Sequence, residues 1–123
     1  MPLSNYKDLT VWQKTRIFVK TIYQATSSFP KNELYGLTSQ IRRASISIGA
    51  NIAEGYARAS RKEYIQFLMI AYASATETEA LLLLATDLGY IKEESSEELI
   101  RDLNELIRML YSMKEALKEK SAA

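Results

Sequence analysis

Apolar residues recur along this chain at steps of three and four, the spacing that stacks side chains on one face of an α-helix, and no strand-like alternation competes with it. Four helical segments are expected, at about 7–27, 35–59, 61–88 and 93–118. In the first, Val11, Thr15, Phe18, Ile22, Ala25 and Phe29 form one seam, widened by Trp12, Val19 and Tyr23. Phe29-Pro-Lys-Asn32 ends it, because proline disfavours helical geometry in the residue before it. Ser60-Arg-Lys-Glu63 reads as a capping box that starts the third segment. That segment places Tyr64, Leu68, Ala71, Ala75, Thr78, Leu82 and Ala85 on one seam, with Ile65, Phe67, Met69, Tyr72 and Leu83 on other faces. Apolar nearly all round, it is expected to be substantially buried. Gly89 then suits a left-handed cap. The fourth segment repeats Leu99, Leu103, Leu106, Leu110, Met113 and Leu117, with acidic residues in its first turn and lysines near its end, as the helix dipole favours. Long helices with short connections pack antiparallel. The expected architecture is therefore one all-α domain over 1–123, an antiparallel up-down-up-down four-helix bundle. At about 1.5 Å per residue its helices are roughly 30 to 40 Å long. Ser121 to Ala123 are expected as a disordered tail.

The second segment sorts onto three faces instead of two. Leu37, Ile41, Ala44, Ile48, Ile52 and Gly55 make the core seam. Ile46, Ala50, Ala53 and Ala57 make a second apolar line, suited to contact with a neighbouring helix or subunit. Arg43, Ser47, Asn51, Glu54 and Arg58 make a wholly polar third line, read either as a lock that fixes helix register or as a polar cluster at a subunit interface. Gly49 and Gly55 each cost a helix about 1 kcal/mol relative to alanine, so both are expected to serve close helix approach.

Composition narrows the chemistry. The 123 residues contain no Cys and no His, which removes disulfides, thiol catalysis, the commonest general base and the commonest transition-metal ligand. No cofactor is expected. Glu77 and Glu79 point in different directions on a helix, so a metal-dependent nucleotide hydrolase built on Glu54, Glu77 and Glu79 is a remote alternative. These glutamates are expected to pair with Arg16, Arg42 or Arg43, within the bundle or across subunits. The longest apolar run, Ala80 to Ala85, is too short to span a bilayer, and the first residues lack the pattern of a signal peptide, so a cytoplasmic protein without membrane attachment is expected. The net charge of +1 conceals a division: residues 1–62 carry ten Lys or Arg against three Asp or Glu, and residues 63–123 carry six against twelve. Such separation lets subunits attract one another or lets the basic half bind nucleic acid. For the latter the candidates are Lys14, Arg16, Lys20, Arg42, Arg43, Arg58, Arg61 and Lys62, the last three beside Tyr56 and Tyr64.

Leu37-Thr-Ser-Gln-Ile-Arg-Arg-Ala44, followed by Ser47-Ile-Gly-Ala-Asn-Ile-Ala-Glu-Gly55, resembles the signature of the four-helix-bundle proteins encoded in 23S ribosomal RNA intervening sequences. Asp8-Leu9, Val11-Trp-Gln-Lys14, Tyr35-Gly-Leu37, Lys62-Glu-Tyr64, Ser74, Glu77, Glu79 and Asp87-Leu-Gly-Tyr90 extend the likeness across almost the whole chain. Gly49 departs from it, standing where many relatives have proline. The resemblance implies a homopentameric assembly of four-helix bundles with a basic surface that binds RNA or DNA and is not an enzyme. A related branch, the accessory variability proteins of diversity-generating retroelements, adds the alternative of an assembly module for a protein partner, a reverse transcriptase or a ribosome-associated factor. On this reading Arg43, Ile46, Ser47, Ala50, Asn51, Ala53, Glu54, Ala57, Glu77 and Glu79 are the candidates for assembly contacts.

Overall fold

A computed structural model describes residues 5–122. Four α-helices carry the chain: α1 (Thr10–Thr26), α2 (Leu37–Tyr56), α3 (Arg61–Asp87) and α4 (Glu93–Ala122), with short 3-10 turns at Tyr6–Asp8 and Lys31–Glu33. No strand occurs among the described residues. α2 packs on α3, α3 on α4 and α1 on α2, and α1 closes on α4; the two diagonal pairs make no close backbone contact among the described residues. This is a bundle with one shared core.

The helix ends differ from expectation for local reasons. Asn5 accepts a hydrogen bond from the Lys7 amide at 2.8 Å, which winds the entry into a 3-10 turn. Leu9 is extended, so α1 starts at Thr10 rather than near Lys7. α2 stops at Tyr56 instead of Ala59 because Ser60 is extended, and from that geometry its hydroxyl accepts from the Glu63 amide at 3.1 Å to start α3. At the far end of α3, the Tyr90 amide reaches the Ala85 carbonyl at 2.9 Å and Gly89 that of Thr86 at 3.0 Å, with Gly89 at φ +80. That is the Schellman arrangement, and glycine adopts it without steric penalty. α4 continues to Ala122 beyond the expected end at Lys118, so Ser121 and Ala122 are helical backbone rather than tail. Ala123 and the first four residues of the leader reading lie outside the described residues.

The core follows the helical period closely. The α2 seam, Leu37, Ile41, Ala44, Ile48, Ile52 and Gly55, is buried along its length. It meets Val11, Phe18 and Ile22 of α1, Leu68, Ala71, Ala75 and Leu82 of α3, and Leu99, Leu103, Leu106 and Leu110 of α4. Three buried hydroxyls are satisfied one turn back, Thr15 donating to Val11 at 2.7 Å, Thr26 to Ile22 at 2.8 Å and Thr78 to Ser74 at 2.8 Å, whereas buried Thr38 Oγ1 has no partner among the described residues.

α3 corrects the sequence reading. Ile70, Leu83 and Leu84 are 47%, 51% and 46% exposed, and only 28% of its most apolar stretch is buried. One bundle contacts only one face of a helix, and α3 gives that face largely to small residues. The helix is long and apolar enough, by length and composition, to cross a membrane, which the apolar-run criterion overlooked.

Candidate functional site

The polar line of α2 faces α3. Asn51 Nδ2 donates to the Ser47 carbonyl at 2.8 Å and to Ser47 Oγ at 3.0 Å, and Ser47 Oγ lies 2.9 Å from Ser74 Oγ on α3. The hydroxyl pair ties α2 to α3 at one register. Glu54 instead lies 3.7 Å from Arg58 one turn on, an exposed ion pair of little energetic weight. Arg43 is exposed and lines an open groove of about 490 Å³ with Tyr35, Ser39, Gln40, Ser47 and Glu77.

Of the two expected pairings of the glutamates with Arg16, Arg42 or Arg43, the one within the bundle does not form among the described residues. Arg42 Nε donates to Thr26 Oγ1 at 2.9 Å and Nη2 to the Tyr23 carbonyl at 3.4 Å, while its guanidinium lies over the Tyr23 ring at 4.5 Å. It clamps α2 to the end of α1. The Arg16 guanidinium lies 5.6 Å from the centre of the Trp12 ring. Glu54, Glu77 and Glu79 are not gathered, and no group of three His, Cys, Asp or Glu among the described residues could hold a metal ion.

The basic candidates separate into tied and open groups. Lys14 Nζ meets Glu105 Oε1 of α4 at 2.7 Å, and the hydrogen bond and charge of the lysine hold the Glu105 carboxyl below its usual range. Lys20 is exposed on α1. Arg58, Arg61 and Lys62 are all exposed around the turn from α2 to α3, and Arg58 lies over the Phe67 ring at 4.6 Å. Arg61 and Lys62 occupy the first turn of α3, where the helix dipole is positive and cations are disfavoured. Glu63 in the same turn and Glu54 beside Arg58 offset part of that positive potential, leaving Arg61 and Lys62 as its exposed cations. Tyr56 and Tyr64 meet edge to face at 5.9 Å; Tyr64 is half-buried against the core, and burial, then the neighbouring Tyr56, raises its pKa.

At Gly55 α2 and α3 approach closely, since a Cβ there would sit 2.7 Å from Phe67 Cβ and 3.1 Å from Tyr64 Cδ1. Gly49 is different: its Cβ would meet Thr15 Cγ2 at 3.4 Å and Trp12 Nε1 at 3.7 Å, ordinary contacts that do not require glycine. On the outer side of α2, Ile46 is 44% exposed, Ala50 and Ala57 are exposed and Ala53 is half-buried. Ile46, Ala50 and Ala53 line an apolar groove of about 350 Å³ against Tyr6, Trp12 and Val19. Sequence reasoning did not single out Glu105 or the aromatic wall of this groove, both of which depend on contacts between distant helices. Ser74 is signalled only by its place in the family likeness.

The family model described as "23S rRNA-intervening sequence protein" matches residues 7–112. Among solved structures, a protein of unknown function from the S23 ribosomal protein family of Bacteroides thetaiotaomicron VPI-5482 superposes with a TM-score of 0.77 and 32% identity. The match covers 85% of this chain and 98% of that one. No curated protein matches the chain.

Proposed function

Because the chain belongs to the 23S rRNA-intervening sequence protein family over residues 7–112, we propose that it is a non-enzymatic cytoplasmic scaffold that binds structured RNA or DNA. The scaffold is a homopentamer of antiparallel up-down-up-down bundles, free of membrane. Connections such as the one between Tyr56 and Arg61 are too short for neighbouring helices to run the same way, which supports the antiparallel order. The observation that carries the nucleic-acid reading is the cluster of Arg58, Arg61 and Lys62. Placing two cations on the positive end of α3 works against helix stability, and a polyanion at that spot would reverse the sign of the effect. Exposed Lys20 and Arg43 extend the basic surface, whereas Lys14 is tied to Glu105 in a surface ion pair and Arg42 to Thr26 of the preceding helix. Five weak patches on one body reinforce one another through effective concentration.

Fluorescence anisotropy with a labelled RNA hairpin and a DNA duplex tests the reading. Binding should weaken linearly on a double-logarithmic salt plot, and R58E/R61E/K62E should abolish it. Unchanged binding by the triple variant, or none by the wild type at low salt, would overturn it.

A second reading, an assembly module for a protein partner such as a reverse transcriptase, has its own observation. Leu34, Tyr35 and Leu88 are 48%, 92% and 50% exposed, and the loops that hold them are joined where Tyr90 Oη donates to Glu33 Oε2 at 2.9 Å. If R58E/R61E/K62E spares capture of that partner while Tyr35→Ser loses it, this second reading holds.

A further inference from the structure

We propose that the outward face of α3 docks into the α1–α2 groove of a second copy of this chain, in one head-to-tail contact that repeats around a closed ring. The inference rests on the oligomer proposed above and assigns its interface.

Two outward stripes carry it. On α3, Ile70, Ala73, Glu77, Ala80, Leu84 and Asp87 follow one another at alternating steps of three and four, and every one of them is exposed. On α2, Arg43, Ile46, Ala50, Ala53 and Ala57 follow the same rhythm, and all but half-buried Ala53 are exposed. A repeat near 3.5 residues is the spacing with which one helix meets another side by side. Both stripes lie away from the core seams of their helices, although the α2 stripe borders α1 along its groove and Arg43 shares an open groove with Glu77 of the same chain.

The stripes differ in a way that selects partner and polarity. The α3 stripe is convex, with Ile70 and Leu84 standing out beside Leu83. The α2 stripe forms the small-residue floor of a groove walled by Trp12 and Val19. The α3 stripe carries carboxylates at Glu77 and Asp87, and the groove is edged by Arg16, whereas Arg43 already faces Glu77 across a groove of its own chain. Pairing α3 with α3 would set like charges together, and pairing α2 with α2 would bury little area. Only the unlike pairing matches large to small and acid to base. Joining two different patches is heterologous, and such contacts close into rings when the rotation allows.

Analytical ultracentrifugation of the full chain provides the test. Leu84→Glu disables the α3 face and Ala50→Glu the groove, both at exposed positions, with circular dichroism to confirm folding. Should Leu84→Glu unfold, Ala80→Lys replaces it on the same stripe. Wild type should sediment as a closed oligomer, and each variant alone as a monomer. An equimolar mixture should stop at a heterodimer, because one intact knob and one intact groove remain. A monomeric wild type, a variant that keeps the wild-type mass, or a mixture that stays monomeric would sink the assignment. Wild type that floats with lipid vesicles while remaining monomeric would give the α3 face to a membrane instead. A monomer that still binds the hairpin would leave the nucleic-acid reading standing, and a ring that ignores RNA would do the reverse.

Discussion

Replacing Gly55 by alanine sets two effects of known size against each other. Alanine in a helix interior is favoured over glycine by about 1 kcal/mol. Against that, the new methyl would stand 2.7 Å from Phe67 Cβ and 3.3 Å from the Tyr64 carbonyl oxygen. Both atoms are fixed to the α3 backbone, so no rotamer change relieves the contact and the helices must part. Overpacking of this kind costs about 1 to 3 kcal/mol, and rigid neighbours place it at the upper end. Gly55→Ala should therefore destabilise the protein by about 1 to 2 kcal/mol after the helix gain is subtracted. Gly49→Ala is the internal control. Its methyl meets Thr15 Cγ2 at 3.4 Å, ordinary contact, so the propensity gain survives and the variant should be more stable by about 0.5 to 1 kcal/mol. Urea unfolding followed by circular dichroism, at one protein concentration so that assembly contributes equally, reads both. The two midpoints should move in opposite directions. Movement in the same direction would refute the account of why α2 carries two glycines.

Ser74→Ala removes the hydroxyl 2.9 Å from Ser47 Oγ and should cost about 1 kcal/mol in the same assay, whereas a midpoint equal to wild type would deny that the pair locks α2 on α3. Glu105→Gln probes the ion pair with Lys14. The Glu105 pKa is lowered in the fold from 4.5, so its contribution is present above that value and lost as pH falls through the lower folded value. The variant should trail wild type slightly at neutral pH and match it in acid; a gap that persists in acid points to a packing effect instead. Tyr90→Phe tests the link between the two loops. The hydrogen bond to Glu33 is the first cause that raises the Tyr90 pKa above 10.0, so its contribution is present below that value and fades as pH rises through the folded value. A deficit of the phenylalanine variant that shrinks in alkaline urea titrations is the expected signature, and a pH-independent deficit contradicts it.

The seams were legible because burial and the 3.6-residue period coincide, and Leu37, Ile41, Ala44, Ile48 and Ile52 are buried as the spacing requires. The start of α1 was not, because the hydrogen bond from the Lys7 amide to Asn5 creates a 3-10 turn that apolar spacing cannot register. For α3, hydropathy reports what a face prefers but not what covers it, so a helix apolar on every side looked buried though one bundle covers only part of it. Arg42 shows a third limit. Its guanidinium reaches back to Thr26 and Tyr23 on the preceding helix, and no spacing rule distinguishes such a clamp from an open cation. Of the candidate site, the cluster at Arg58, Arg61 and Lys62 could be read directly because its members are neighbours in the chain.

The closure of α1 on α4 also determines how the molecule comes apart. It is the thinnest of the four helix contacts and the one between elements farthest apart in the chain, bridged by Lys14 and Glu105. Contacts between sequential helices close small loops and form early, while this one must close nearly the whole chain and forms last. The same seam is the first to open. Amides of α1 should therefore exchange with solvent sooner than those of α2 and α3. An α1 that swings out leaves uncovered the α4 face that the α1 of another copy would fill, the geometry of a domain swap.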